Sequence, residues 1–312
     1  MNAMLSERAQ PGALSNPNTF AEYLTFVFKA DVSAEAVSDA FAKIQIIEKS
    51  IGQKDSTADL SFTVAVSRQG WSTAFPEVAM PALLEDFKAM VDGERQFPST
   101  AGDVFIMIKS ERMDLNYQAA KYLALAFAEV ATLIEDIQGF KYLDSRDMID
   151  FVDGTENPKN EARMKAVLVA DDIEIHQGGS YLTVQRYIDR QGLWDKQSTE
   201  YQEQVIGRTK LDDIEFEDDV KPVWAHTNKS KVVVEDKEIK MLRQNRPYGN
   251  AMEHGTMFIG LTASPVTMST SLQQMVFADS NGHYDRLLDF VEAKTGTNYF
   301  IVSQTLLDTF AD

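Results

Sequence analysis

The chain has 312 residues, 30 of them basic and 48 acidic, for a net charge of −18, and it contains no cysteine. That acidity repels phosphate backbones and anionic lipid surfaces, so neither nucleic acid nor a membrane is an expected partner. The lack of thiols excludes disulfides, Cys-based zinc sites and covalent cofactor attachment through Cys-x-x-Cys-His, leaving His, carboxylate, Tyr or Met to hold any metal.

The length suits one large domain or two of ordinary size, and two are expected. Residues 1–18 include Glu7, Arg8 and two prolines but no apolar stretch of a secretory signal and no twin-Arg pair, so a cytoplasmic location is expected. Residues 20–30 carry the aromatic and branched side chains of a strand. The period then changes. Val37, Ala40, Phe41, Ile44 and Ile47 recur at three and four, predicting a helix over 32–47 capped by Asp31 or Ser33. Leu60, Phe62, Val64 and Val66 alternate with smaller or polar residues, as in a strand ending near Gly70-Trp71. A short helix is expected over 83–91, a buried strand over 104–108, and the longest helix over 115–137, closed by Gly139. The most apolar window, 122–134, is interrupted by Glu129 and is too short to span a bilayer.

After Gly178-Gly179-Ser180 a strand is expected over 181–188, a short helix over 198–206, a strand over 257–261, and helices over 265–278 and 284–293. This order predicts an α+β fold of two ferredoxin-like, split βαβ halves, with antiparallel sheets and peripheral helices, divided into 1–145 and 146–312. A single mixed sheet is the alternative arrangement. The run from Asp212 to Asp219 reads as a solvated acidic loop.

Three stretches carry candidate chemistry. In Phe151-Val152-Asp153-Gly154-Thr155-Glu156-Asn157-Pro158, Asp-Gly and Asn-Pro are ordinary turn pairs, but apolar shoulders beside Asp153 also suit a carboxylate aimed into a cavity. Among four histidines, His226 stands out, because Pro222 interrupts a helix before it and Trp224-Ala225 supply apolar surroundings. In Leu242-Arg243-Gln244-Asn245-Arg246-Pro247-Tyr248-Gly249, Arg243 reads equally as a surface residue beside a turn, and Arg246 competes with it for any role.

These stretches, in this order, resemble the signature segments of the dye-decolourising peroxidases, of the bacterial type-B branch. The chain departs at Asp150, where the family usually has the first Gly of its motif, and so carries a second carboxylate three residues before Asp153. The resemblance implies a noncovalent haem b in the second half, with His226 as the iron ligand and Asp153, Arg243 and Asn245 on the opposite, peroxide-binding side. It further implies that Arg208 reaches a haem propionate and that Asp289 accepts the His226 Nδ1 proton. The expected activity is oxidation of dyes, phenols or similar organic donors by hydrogen peroxide, in a homo-oligomer. A carboxylate can move protons near neutral pH and a guanidinium cannot, so Asp153 is expected to shuttle the proton and Arg243 to stabilise charge. A haem carrier or iron-releasing protein is the alternative on the same fold, and a purely structural assembly protein is a second. Trp71, Trp194 and Trp224 are candidate electron conduits and equally good core residues.

Overall fold

A strand can be apolar on both faces when helices cover one side and other strands enclose the second. The computed structural model, which describes residues 2–311, is built on strands of that kind. In chain order they are β1 (Phe20–Phe28), β2 (Ser61–Ser67), β3 (Val104–Ser110), β4 (Ala131–Phe140), β5 (Ser180–Asp189), β6 (Arg246–Gly249), β7 (His254–Thr262) and β8 (Thr297–Ile301). They pair antiparallel in the order β7-β6-β4-β1-β3-β2-β8-β5, and β5 pairs back onto β7, so the sheet closes on itself. Short strands Leu242–Arg243 and Val291–Ala293 add to β7 and β5.

Closure separates two cores by strand parity. Tyr23, Phe105, Met107, Leu182, Val184, Met257, Ile259, Leu261 and Tyr299 pack together inside the closed sheet. The alternate residues Leu24, Phe26, Phe62, Val64, Val104, Ile106 and Phe300 pack outward. Helices α1 (Ala34–Gly52) and α2 (Met113–Phe127) cover that outer face through Val37, Phe41, Ile44, Ala119, Leu123 and Phe127. Ser33 caps α1, its side chain accepting the Ala36 amide at 3.1 Å. In the second half, α3 (Thr199–Ile206) and α4 (Pro265–Val276) lie outside the sheet, and Met268, Leu272 and Met275 of α4 pack with Tyr187 and Phe258.

Three predicted helices are corrected. The expected helix over 115–137 is α2 followed by β4, with the chain turning where the Ala128 amide donates to the Leu125 carbonyl and the Val130 amide to the Phe127 carbonyl. Past Glu129 the apolar period falls from 3.6 to 2, and the longest helix is therefore α1. Gly139 is not a helix terminator but a strand residue where β6 comes close: a Cβ there would lie 2.8 Å from Arg246 Cβ and 3.0 Å from the Tyr23 ring. Residues 83–91 form no helix, and Met90–Asp92 instead pairs with Arg95–Phe97 across Gly93. Residues 284–293 form one 3-10 turn, Arg286–Asp289, and then a strand, a difference that decides which carboxylate meets His226.

No helix among the described residues is long and apolar enough to cross a membrane.

Candidate active site

On the outer face of β5 and β7 lies a cavity of about 1660 Å³ of empty space, its open mouth included. Tyr187 and Asp189 of β5, with Thr256 and Phe258 of β7, form one wall, and Ser271, Leu272 and Met275 of α4 face them. Asp153, His226, Arg243, Asn245 and Arg208 all line it.

His226 begins a single helical turn, His226–Lys229, whose N-cap is the buried Ala225. Its neighbours are tied down: Ser230 Oγ donates to the His226 carbonyl at 2.7 Å, and Ser271 Oγ of α4 donates to the Ser230 carbonyl at 2.8 Å. The imidazole Nδ1–H donates to Asp285 Oδ2 at 2.6 Å, and Asp285 is fully buried. That bond fixes the tautomer and leaves the lone pair on Nε2. Asp285 itself is held, because its Oδ1 caps the 3-10 turn by accepting the Leu287 amide at 3.0 Å. Asp289 does not take this part. Four residues further along a three-residue-per-turn helix it faces elsewhere, bonding Tyr284 Oη at 2.9 Å and pairing with Arg286 at 3.4 Å. The cap pattern at Asp285-Arg286-Leu287 was the available signal, and reading 284–293 as one long helix hid it. His176, His254 and His283 lie away from the cavity, against Ala79, Gln191 and Asp279.

Elsewhere in the lining Asn245 Nδ2 donates to Asp153 Oδ2 at 2.9 Å, while Asn245 Oδ1 accepts the Ile259 amide of β7 at 2.9 Å. The Arg243 backbone bonds Asn157 through both its N–H, at 2.9 Å, and its carbonyl, at 2.8 Å. Arg246, the competitor, points away: Nε donates to the Asn18 carbonyl at 2.8 Å and Nη1 to the Asn245 carbonyl at 3.1 Å. Asp150 adopts φ 72, the left-handed region that favours Gly and that Asp tolerates better than most residues. Its carboxylate pairs with Lys210 at 3.3 Å and does not line the cavity, so the departure from the family motif adds no second acid to the site.

Arg208 sits at the wall with its fork engaged, Nε donating to Asp213 Oδ1 at 2.7 Å and Nη1 to Glu215 Oε2 at 3.2 Å. Part of the acidic run 212–219 is thus an ion-pair partner and not only a solvated loop. Two further carboxylates went unnoticed in the sequence. Asp147 accepts the Phe151 amide at 2.9 Å, and burial, with Asp153 and Asp189 nearby, pushes its pKa well up. Burial pushes Asp189 up to about 7, and its Oδ2 has no hydrogen-bond partner among the described residues. Behind the strand bearing Arg243, the buried Lys109 ammonium donates to the Gly12 carbonyl at 2.8 Å, Ser15 Oγ at 2.7 Å and Gln244 Oε1 at 2.5 Å. Burial brings its pKa down to about 7.

The sequence model of the Dyp-type peroxidase N-terminal domain matches residues 10–141, and that of the C-terminal domain matches residues 144–306. A dye-decolorizing peroxidase of Rhodococcus erythropolis is 38% identical, over 96% of this chain and 89% of its own. Among solved structures, the encapsulated DyP-type peroxidase from Mycobacterium smegmatis superposes with a TM-score of 0.92 at 34% identity, covering 98% of each chain. A Rhodococcus jostii DypB variant in complex with heme gives a TM-score of 0.92 at 35% identity, covering 97% of this chain and 99% of the other. A cavity bearing a carboxylate, a guanidinium and a tethered histidine on a closed antiparallel sheet belongs to an oxidoreductase built on this plan. The chain belongs to the Dyp-type peroxidase family and is a peroxidase.

Asp189 gives a pH prediction. Between about pH 4 and 7 the folded chain keeps a proton there that the unfolded chain has released, so raising the pH through that window destabilises the fold. Asp189→Asn should remove this slope: in urea unfolding, its stability gain over the native chain should be larger at pH 7.5 than at pH 4.5.

Proposed function

We propose that the cavity holds a noncovalent haem b with His226 Nε2 as the iron ligand, and that the chain is a peroxidase oxidising dyes, phenols or similar donors with hydrogen peroxide. The observation that carries this reading is the convergence of two sets of groups on one cavity, His226 held by Asp285, and Asp153 and Asn245 with Arg243. The donor set fits the group. Apolar Phe258, Leu272 and Leu288 offer flat packing surface, and His226 Nε2 makes no hydrogen bond among the described residues. The buried lining atom Thr227 Oγ1 is likewise unpartnered. Relatives in complex with heme support the assignment.

When bound, the haem supplies the iron on which peroxide is reduced and the electrons for that reduction. The protein's part is proton transfer and charge. Asp153 takes the proton from one peroxide oxygen and delivers it to the other, which leaves as water. Arg243 stabilises the negative charge that develops on the departing oxygen, a task suited to a group that never deprotonates. Asn245 holds the Asp153 carboxylate, and through Ile259 ties it to β7. Asp285, by accepting from Nδ1, makes the imidazole a stronger donor. Arg208 lies where it could meet a propionate, at the cost of its bonds to Asp213 and Glu215. A haem carrier would have no need of the Asp153–Asn245–Arg243 group.

We also read the closed sheet as two ferredoxin-like units divided near residue 145. Numbering the four strands of each half, both show the order 4-1-3-2: β4-β1-β3-β2, and β8-β5-β7-β6. The cytoplasm is the compartment we propose. A homo-oligomer is the assembly we propose, and sedimentation should then give a mass several times that of one chain.

Haem titration tests the ligand assignment. His226→Ala should abolish the ligated spectrum, Asp285→Ala should weaken haem binding by about 10–100-fold, and Asp289→Ala should leave it near native. Haem binding unchanged in His226→Ala would refute the reading.

The distal groups divide by step. Losing an acid/base group costs about 10²–10⁴-fold and losing an electrostatic stabiliser about 10²–10³-fold. Water can partly replace an acid and cannot replace a fixed positive charge. Arg243→Leu is therefore expected to slow the peroxide reaction more than Asp153→Asn, with haem bound in both. Stopped-flow mixing with peroxide measures this, and a native rate in Arg243→Leu would remove Arg243 from the mechanism.

A further inference from the structure

Asp153 and Arg243 belong to segments 90 residues apart in sequence, yet their separation has to be held to a fraction of an ångström for both to act on one peroxide. Asn245 fixes the Asp153 side chain, but it does nothing for the backbone from which the Arg243 side chain springs. Pairing with β7, Arg243 opposite Gly260, holds one edge of that backbone, and Asn157 holds the other. Asn157 lies four residues after Asp153 in the same turn, which is closed by its own amide bonding the Gly154 carbonyl at 3.1 Å. Its side chain then grips the Arg243 peptide groups from both sides: Oδ1 accepts the Arg243 N–H at 2.9 Å, and Nδ2 donates to the Arg243 carbonyl at 2.8 Å.

The space for that grip is built into the turn. Gly154 has φ 87, and a Cβ at that position would lie 3.0 Å from Asn157 Nδ2, so the turn has little room for a side chain. The same strand is held from behind, where Gln244 donates to the Ala13 carbonyl at 2.9 Å and accepts from Lys109. With Asn245 the result is a closed circuit: Asp153 to Asn157 along the turn, Asn157 to Arg243 by two hydrogen bonds, Arg243 to Asn245 along the strand, and Asn245 back to Asp153. A ring of short covalent and hydrogen-bonded links fixes distances that an open chain leaves free.

We propose that Asn157 is the positioning residue of Arg243, setting the distance and angle between the guanidinium and the Asp153 carboxylate. This rests on the distal roles assigned above. Only a primary amide of this length both donates and accepts across one residue's peptide groups. Aspartate keeps the acceptor and loses the donor when ionised, and alanine loses both.

The experiment has an arm that needs no turnover. In the haem-free protein, amide exchange at Arg243 is followed by NMR in the native chain, Asn157→Ala and Asn157→Asp. Exchange at that amide is expected to quicken about tenfold or more in the alanine variant and by less in the aspartate variant, which keeps the acceptor. In the haem-loaded enzymes, Asn157→Ala is expected to lower kcat/KM for peroxide about tenfold with haem affinity near native. In an Arg243→Leu background the same change is expected to cost little more, since it acts through the guanidinium. Unchanged exchange at Arg243 overturns the proposal, as does an Asn157→Ala loss that multiplies fully with that of Arg243→Leu. An Arg243→Leu enzyme of native activity would instead overturn the distal assignment, and the exchange arm separates that failure from a failure of the clamp.

Discussion

The pairing of β5 with β7, from Met257 opposite Arg186 to Thr262 opposite Tyr181, is the constraint on which everything else rests. Without it the strands form an open sheet with two edges. With it the sheet closes, and parity assigns each side chain to the interior or to the outer face. Met257, Ile259 and Leu261 fill the inside, while Thr256 and Phe258 between them become the floor of the cavity. A slip of one residue would exchange the two sets, placing Phe258 in the core and Ile259 against the cavity. The chemistry is therefore placed by strand register before any polar group takes part.

Much of this was legible in the sequence because strands and turns announce themselves locally. The alternation at 60–66, the cap at Ser33 and the Asp-Gly turn after Phe151-Val152 each rest on neighbouring residues alone. Where the reading failed, the deciding contact was remote. The apolar residues of 115–137 satisfy a helical period, and only the pairing of β4 with β1 draws the second part into a strand. The resemblance points to Asp289, whereas the segment of Asp285 is pinned from outside by the Trp224 and Met275 carbonyls through the Arg286 and Asp285 amides. Asp147, Asp189 and Lys109 carry no local sign of burial, because an isolated charge in a sequence looks like surface.

Those buried groups give the site a particular electrostatic character. A chain of net charge −18 brings Arg243 and Asp153 to one cavity and keeps two further carboxylates, Asp147 and Asp189, in its wall with their protons favoured by burial. Protonated, they add no negative charge to oppose an incoming anion and stand as donors near the cavity. Ionised, they would strengthen the field of Asp153. The acidity of the surface and the chemistry of the pocket are thus separate matters, set by solvent in one case and by desolvation in the other.

Residues 10–18 look dispensable in sequence, an irregular stretch of Pro, Gly and Ser before the first strand. In the fold their carbonyls at Gly12, Ala13 and Ser15 are acceptors for Gln244, and Gly12 and Ser15 are two of the three groups that hold the Lys109 ammonium. Trimming them, a routine step when a recombinant protein is shortened, would leave a buried cation with a single protein acceptor and the back of the Arg243 strand without its anchor. A piece of chain that lines no part of the cavity in this way supports one of its strands from behind, and the boundary of the minimal functional unit lies upstream of the first strand.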